Sequence, residues 1–182
     1  MKNYYLKEQM IAKADRKGNI IGRIEKWEAH REGILHRGLT VAVLFKDFLI
    51  IQHRKHPAFD GVFDITSSSH QLFINGKLQD TMAATFVALK REWNIEKSDL
   101  VSKPKNLGFV YYKAKDPKSE FTEHEIDAIL KVKVKKIPTP NFDFAYGLSL
   151  VKKREVLNKK SRIYSNLAPW VKAMIKKYAL MI

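Results

Sequence analysis

The sequence predicts an α/β (α+β) fold in which a mixed β-sheet is sandwiched between helices. Three observations carry the expectation: alternating apolar runs paired across turn-rich stretches, an amphipathic helical pattern in mid-chain, and a second helical stripe near the C-terminus. Strand runs interrupted by one helix and closed by another leave a sheet with a helical layer available for each face.

Taking the elements in order, Met10-Ile11-Ala12 and Ile20-Ile21 flank Asp15-Arg16-Lys17-Gly18-Asn19, a turn-rich stretch that predicts a hairpin, followed by a short helix from Ile24 to Arg31. Leu39, Val41, Val43 and Phe45 alternate, and the apolar run Phe48-Leu49-Ile50-Ile51 follows the polar pair Lys46-Asp47, which predicts a second hairpin. From Gln79 to Trp93 the residues Met82, Ala83, Phe86, Leu89 and Trp93 recur at the spacing of one helix face, and Asn94 stands where a helix would stop. Two strand-like runs, Leu107 to Ala114 and His124 to Val134, are separated by Lys115-Asp116-Pro117-Lys118-Ser119, whose Asp-Pro and Ser favour a turn. After Ile137-Pro138-Thr139-Pro140-Asn141 a last helix is expected on the stripe Leu167, Trp170, Val171, Met174, Ile175 and Tyr178, with Pro169 tolerated in its first turn. With no internal repeat, low-complexity tract or linker, residues 1–182 read as a single domain with a basic helical segment over residues 151–182.

Composition narrows the chemistry. At 182 residues and 45% hydrophobic content the chain can bury a sizeable core. No apolar stretch approaches the roughly 20 residues that span a bilayer, and MKNYYLKEQM lacks the features of a signal peptide, so the expected location is cytoplasmic without membrane insertion. The absence of cysteine excludes disulfides, thiolate ligands and thiol catalysis, leaving His, carboxylates, hydroxyls and Lys. Formal net charge is +15, and residues 151–182 hold nine Lys/Arg against the single acid Glu155. Such a field attracts nucleic acid, anionic lipid or a diphosphate. A solvated Lys-rich surface is the plainer explanation, and with no RNA-binding motif present nucleic acid is not expected as a partner.

His30, His36, His70, Glu123 and Glu125 are candidate metal ligands. Each alone is ordinary, since a single His is more often a surface or hydrogen-bonded residue than a ligand. The glutamates are more telling: two apart on a strand they point to one face, with His124 facing away. Three imidazoles and two carboxylates suit Zn, Mn or Fe(II) better than Ca.

The segment Glu25-Lys26-Trp27-Glu28-Ala29-His30-Arg31-Glu32-Gly33-Ile34-Leu35-His36-Arg37 carries a lysine ahead of a first His and a second His soon after. Further on come Thr66-Ser67-Ser68-Ser69-His70, then Tyr112-Lys113-Ala114 with Thr122-Glu123-His124-Glu125-Ile126-Asp127, and finally Ala168-Pro169-Trp170. Together they resemble the motifs of the type I isopentenyl-diphosphate isomerases of the Nudix fold, whose second motif reads Thr-Cys-Cys-Ser-His. The resemblance spans roughly residues 10 to 130 and the last helix. It implies one divalent metal (Zn, Mn or Fe) held by His30, His36, His70, Glu123 and Glu125, and a magnesium joining the substrate diphosphate to Glu92. The implied partner is a small-molecule prenyl diphosphate, and the implied activity interconverts isopentenyl and dimethylallyl diphosphate by protonation and deprotonation. Glu125 with Tyr112 would serve one face of the alkene and Ser68 the other, Trp170 would lend its ring to the carbocation, and Lys26 and Arg54 would hold the diphosphate. For Lys26 the plain alternative is a solvated lysine on a helix face.

Two departures keep other readings open. Ser68 stands where the family has a cysteine, and a thiol titrates near 8.5, far closer to neutrality than an alcohol. A Nudix hydrolase box sets several acids on one helix; here Glu92 alone remains, with Arg91, Ala88, Val87 and Gln79 at the other positions. The isomerases usually keep arginines near positions 87 and 88, and Arg91 lies on the same helix face as Ala88. The alternatives are a non-catalytic module that binds metal and a diphosphate, and a Nudix diphosphate hydrolase.

Overall fold

The computed structural model describes residues 2–179. A short helix α1 (Lys2–Tyr5) precedes the hairpin β1 (Met10–Ala14) and β2 (Ile20–Glu25), whose turn is held by Asp15 accepting from the backbone N–H groups of Lys17 and Asn19 at 2.8 and 2.9 Å. Helix α2 (Lys26–Glu32) starts two residues later than the sequence suggests, because the Glu25 carboxylate accepts from the Glu28 N–H and acts as its cap while Ile24 completes β2. Gly33, at φ 60°, ends it. Strands β3 (His36–Phe45) and β4 (Phe48–Arg54) form the second hairpin. Short strands β5 (Phe63–Asp64) and β6 (Ser67–Ser69) pair with β4 and β3, and the small hairpin β7 (Phe73–Ile74) and β8 (Lys77–Leu78) leads to helix α3 (Thr81–Trp93). Asp80 caps α3 through the Met82 and Ala83 N–H groups, and Asn94 closes it in the left-handed region.

The second half completes the sheet. β9 (Lys105–Lys115) and β10 (Thr122–Val134) are antiparallel, β10 runs parallel to β3, and β11 (Ala145–Lys152) pairs with β4. Three helices follow: α4 (Lys153–Leu157), α5 (Arg162–Asn166) and α6 (Pro169–Tyr178). Alternation along the central strands divides the core between two faces. Leu39, Val41 and Val43 with Ala128, Leu130 and Val132 pack with Leu89 and Trp93 of α3, whereas Ala42 and Ile129 pack with Trp170, Val171 and Met174 of α6. The result is the expected mixed sheet between helices.

Beyond the start of α2, the structure corrects the sequence reading at α3 and at β11. The buried face of α3 consists of Ala84, Thr85, Ala88, Leu89, Glu92 and Trp93, and Ala83 is exposed. The helix lies against β6 through small residues, which a search for large apolar side chains passes over. Strand β11 was not foreseen, and the basic segment 151–182 begins as its end before turning helical; its residues 180–182 lie outside the described residues. The apolar stripe of α6 is buried, so the lysines of that helix occupy the face left over. No helix among the described residues is long and apolar enough to cross a membrane.

Because Met174 is fully buried between α6 and the sheet, Met174→Ala should lower stability by about 2–5 kcal/mol in chemical denaturation, without a change in secondary structure by circular dichroism.

Candidate metal centre

Strand β10 brings the centre together. Its pairing places Glu125 beside His36 on β3 and opposite Tyr112 on β9, and alternation turns Glu123 and Glu125 inward while His124 bonds the Gly33 carbonyl at 2.8 Å. Helix α2 supplies His30, and the segment after β6 supplies His70. His30 Nδ1 bonds the Lys26 carbonyl at 2.5 Å and His36 Nδ1 the Ile34 carbonyl at 2.7 Å. A ring nitrogen facing a carbonyl carries the proton, so in the neutral form of either ring Nε2 is the atom that presents a lone pair.

Those lone pairs face carboxylate oxygens. His30 Nε2 lies 3.1 Å from Glu123 Oε2, His36 Nε2 3.4 Å from Glu125 Oε1, and His70 Nε2 3.0 Å from the same Glu125 oxygen. The three Nε2 atoms and Glu123 Oε2 are buried without a hydrogen-bond partner. Ligand atoms of His30, His36, His70 and Glu123 all fall within 4.8 Å of one another. Ligands on opposite sides of one ion at 2.0–2.3 Å would stand about 4.0–4.6 Å apart, so a slight contraction would suffice. Converging lone pairs and carboxylates repel unless positive charge lies among them, and this set could hold a divalent metal. Burial pushes the His70 pKa down to about 4, which leaves a neutral imidazole suited to ligation.

The other residues singled out in the sequence line one narrow cleft beside this cluster: Lys26, Arg54, Ser68, Glu92, Tyr112 and Trp170. Tyr112 Oη donates to Glu125 Oε2, and burial followed by the nearby carboxylates pushes its hydroxyl pKa well above the usual value. Lys26 is buried, with Nζ 4.5 Å from the Trp27 ring centroid, so the solvated-lysine alternative does not describe it. Burial, then the charges of Arg91 and Arg54, bring its pKa down to about 7. Arg54 bonds Asp64 at 3.3 Å and stacks over the Trp170 ring. Glu92 stands apart from the histidine cage, accepting from Ser67 Oγ at 2.8 Å and from Arg91 at 2.5 Å. Val87 is exposed and Ala88 buried, so the cations on this side come from Arg91, which also bonds Ser69 and stacks 4.4 Å from the Tyr4 ring centroid.

Thr66 aims the serine segment. At φ 95° it occupies a region costly for a β-branched residue, and it is held there by Trp93 Nε1 donating to its carbonyl at 2.9 Å and by its own Oγ1 donating to the Ile50 carbonyl at 2.6 Å. Ser67 and Ser69 thereby meet Glu92 and Arg91 of α3, while Ser68 turns to the other face. There it meets Asp64 and Thr40, and Thr40 in turn bonds Asp127, three residues that the sequence reading missed. One signal was available. Glu123, Glu125 and Asp127 follow at two-residue steps, and Asp64 interrupts the apolar run Phe63-Asp64-Ile65.

No protein-family model matches the chain, and no curated protein matches it either. Solved structures do match. DR0079 from Deinococcus radiodurans aligns with a TM-score of 0.62 at 15% identity over 87% of this chain and 91% of that one. The MutT protein from Methanosarcina mazei Go1 gives 0.58 at 9% identity over 78% and 91%. A MutT Nudix hydrolase from Burkholderia pseudomallei gives 0.51 at 13% identity over 66% and 84%. The chain has the Nudix fold, and at these identities the likeness extends to the fold alone.

Titration of the metal-free protein with Mn²⁺ or Zn²⁺ should show one tight site per chain and a rise in Tm that chelation reverses. Gly38 packs against the cage so closely that an added Cβ would lie 2.4 Å from Glu125 Oε1. Gly38→Ala should therefore weaken metal binding by about 10- to 100-fold in calorimetric titration, and an unchanged affinity would place the ion away from Glu125.

Proposed function

We propose that the chain is a metal-dependent enzyme acting on a prenyl diphosphate, interconverting isopentenyl and dimethylallyl diphosphate. The observation that carries this reading is the set of groups on one cleft: the hydrogen-bonded Tyr112–Glu125 pair beside the histidine cage, and Ser68 and Trp170 lining the same space. Moving a double bond requires a proton to arrive at one carbon and another to leave a second, so two separate proton-handling groups are needed. The Tyr112–Glu125 pair serves one face and Ser68 the other. The Trp170 ring borders the position of the intervening cation. Lys26, Arg54 and Arg91 supply positive charge for the diphosphate, with Glu92 among them as the acid toward which a substrate-bound magnesium would turn. A divalent ion held by His30, His36, His70, Glu123 and Glu125 would neutralise the buried carboxylates and fix Glu125 against Tyr112.

A second reading, diphosphate hydrolysis, is favoured by the names of similarly folded structures, which include a MutT Nudix hydrolase. Against it stands helix α3, whose only acid is Glu92, with both carboxylate oxygens engaged by Ser67 and Arg91. Hydrolysis on that helix would call for several carboxylates to load metal and orient water.

Incubation of the metal-loaded protein with isopentenyl diphosphate should yield dimethylallyl diphosphate by NMR without release of phosphate. Phosphate or diphosphate release would select the hydrolase, and neither product would select a binding module. Tyr112→Phe removes only the hydroxyl and should cut kcat about 100-fold or more with metal content unchanged.

The Lys26 pKa of about 7 gives a further check. An anion bound beside Lys26 favours its charged form, so binding draws in a proton, and affinity falls as pH rises through 7 toward the higher pKa of the complex. Calorimetry with inorganic diphosphate in buffers of different ionisation enthalpy should show net proton uptake at pH 7.5 that is reduced in Lys26→Met.

A further inference from the structure

Ser68 is held between two buried acids. Thr40 and Ser68 are partners in the β3–β6 ladder, and their Oγ atoms lie 3.0 Å apart. Thr40 Oγ1 donates to Asp127 Oδ2 at 2.8 Å, and Ser68 Oγ donates to Asp64 Oδ1 at 3.1 Å. Asp64 is fully buried. It also receives Trp170 Nε1 at 2.8 Å and the Ile65 N–H at 2.7 Å on the same oxygen, while Arg54 reaches its second oxygen at 3.3 Å. Thr40 has spent its single proton on Asp127, so the better acceptor left for the Ser68 hydroxyl is the Asp64 carboxylate.

An alcohol differs from a thiol in one decisive respect. A thiol can lose its proton near neutral pH and wait as a thiolate, whereas a serine must hand its proton to a base in the same step in which it takes another. Asp64 does not open on the cleft but bonds three residues that do, Ser68, Arg54 and Trp170, and of these the serine alone offers a hydroxyl that can pass a proton inward.

We propose that Asp64 is the proton acceptor behind Ser68, a positioning residue that makes the serine competent on the face opposite Tyr112–Glu125. The inference deepens the isomerase reading and rests on it. In the forward direction the Tyr112–Glu125 pair delivers a proton to the terminal alkene carbon, forming a C–H bond and a tertiary cation. The allylic C–H bond opposite then breaks, and its electron pair becomes the new double bond. Its proton passes to Ser68 Oγ as the Ser68 O–H proton passes to Asp64 Oδ1. One proton enters the hydrocarbon and one leaves it, and both pairs are reset through water in the open cleft. Burial, against the opposing pull of Arg54, Trp170 and Ser68, raises the proton affinity of the Asp64 carboxyl above that of an ordinary aspartate, which suits an acceptor.

The test uses the full-length, metal-loaded protein. Asp64→Asn keeps the shape and a carbonyl for Trp170 but cannot take a proton. It should lower kcat on isopentenyl diphosphate about 100-fold or more while KM shifts less than threefold and metal content holds. Ser68→Ala, a milder change for folding, should lose a similar factor, and the double variant should be no worse than either alone.

Because the chain contains no cysteine, Ser68→Cys introduces a single thiol as a probe. Its pKa, read from alkylation rates against pH, should drop by one unit or more when Asp64→Asn is added, since an ionised neighbour disfavours the thiolate. In that thiol background the kcat cost of Asp64→Asn should shrink below tenfold, because a thiol no longer needs the base. An equal thiol pKa with and without Asp64, or an equal kcat loss in the serine and cysteine backgrounds, overturns the proposal and leaves Asp64 as an anchor for Arg54 and Trp170. If the thiol pKa responds but the native protein makes no dimethylallyl diphosphate, the Ser68–Asp64 pair stands and the reaction assigned to it falls.

Discussion

The site depends on one electrostatic constraint: three carboxylates at two-residue steps, Glu123, Glu125 and Asp127, turned to the same side of a strand that is buried almost throughout. Taking an ionised carboxylate out of water costs several kcal/mol even after relaxation, so each needs positive charge or a proton nearby. The three are met in two ways. Glu123 and Glu125 face the edges of three imidazoles whose geometry leaves room for a shared cation. Asp127 takes the other route, since burial and then the charge of Glu125 raise its pKa well above the usual value, favouring the protonated form, and Thr40 bonds it.

That constraint explains features of the surrounding fold. Parallel pairing of β10 with β3 sets His36 beside Glu125 and Gly38 beside Asp127, and only a residue without a side chain fits at 38 against the Glu125 carboxylate. Helix α2 is short because Glu25 starts it and Gly33 ends it, and this brackets His30 on its inner face. Helix α6 does two jobs at once. Its apolar stripe seals one face of the sheet, and the Trp170 indole N–H reaches Asp64, coupling the packing of the last helix to the serine side of the cleft. The positive charge of the cleft comes from α2, β4 and α3 through Lys26, Arg54 and Arg91, joined by Lys55 just after β4.

Much of the fold was legible in the sequence because period separates strand from helix and turn-forming residues mark where strands reverse, and both hairpins, the mid-chain helix, the β9–β10 pair and the last helix follow from the two together. Two of the features that escaped show why. Strand β11 carries Gly147 and polar residues amid its apolar ones, so its alternation is weak, and it is fixed by pairing with β4 rather than by its own pattern. The inner face of α3 uses Ala84, Thr85 and Ala88, where small size rather than hydrophobicity matters. In the site, His30, His36, His70, Glu123 and Glu125 could be singled out because motifs of a known family order them along the chain. Asp64 and Thr40 could not, since their meeting with Ser68 depends on strand pairing across 28 residues and on the turn at Thr66.

A fold found in Nudix hydrolases leaves the reaction open, and the choice turns on where the acids sit. Hydrolysis of a diphosphate is served by carboxylates in register on a helix, where they gather metal around the scissile bond and a water. Here α3 offers one acid, tied to Ser67 and Arg91, while the unpaired ligand atoms converge on a strand, among histidines from three other elements. Such a cage is suited to holding charge in place, and beyond it the cleft carries groups that can exchange protons: Tyr112 with Glu125, and Ser68 with Asp64. Proton transfer at carbon asks for two such groups and for a shielded space between them, and it asks for no nucleophilic water. The location of the carboxylates, more than the outline of the fold, is therefore what supports the proposed isomerase reading, and the base behind the serine is an inference that rests on that reading in turn.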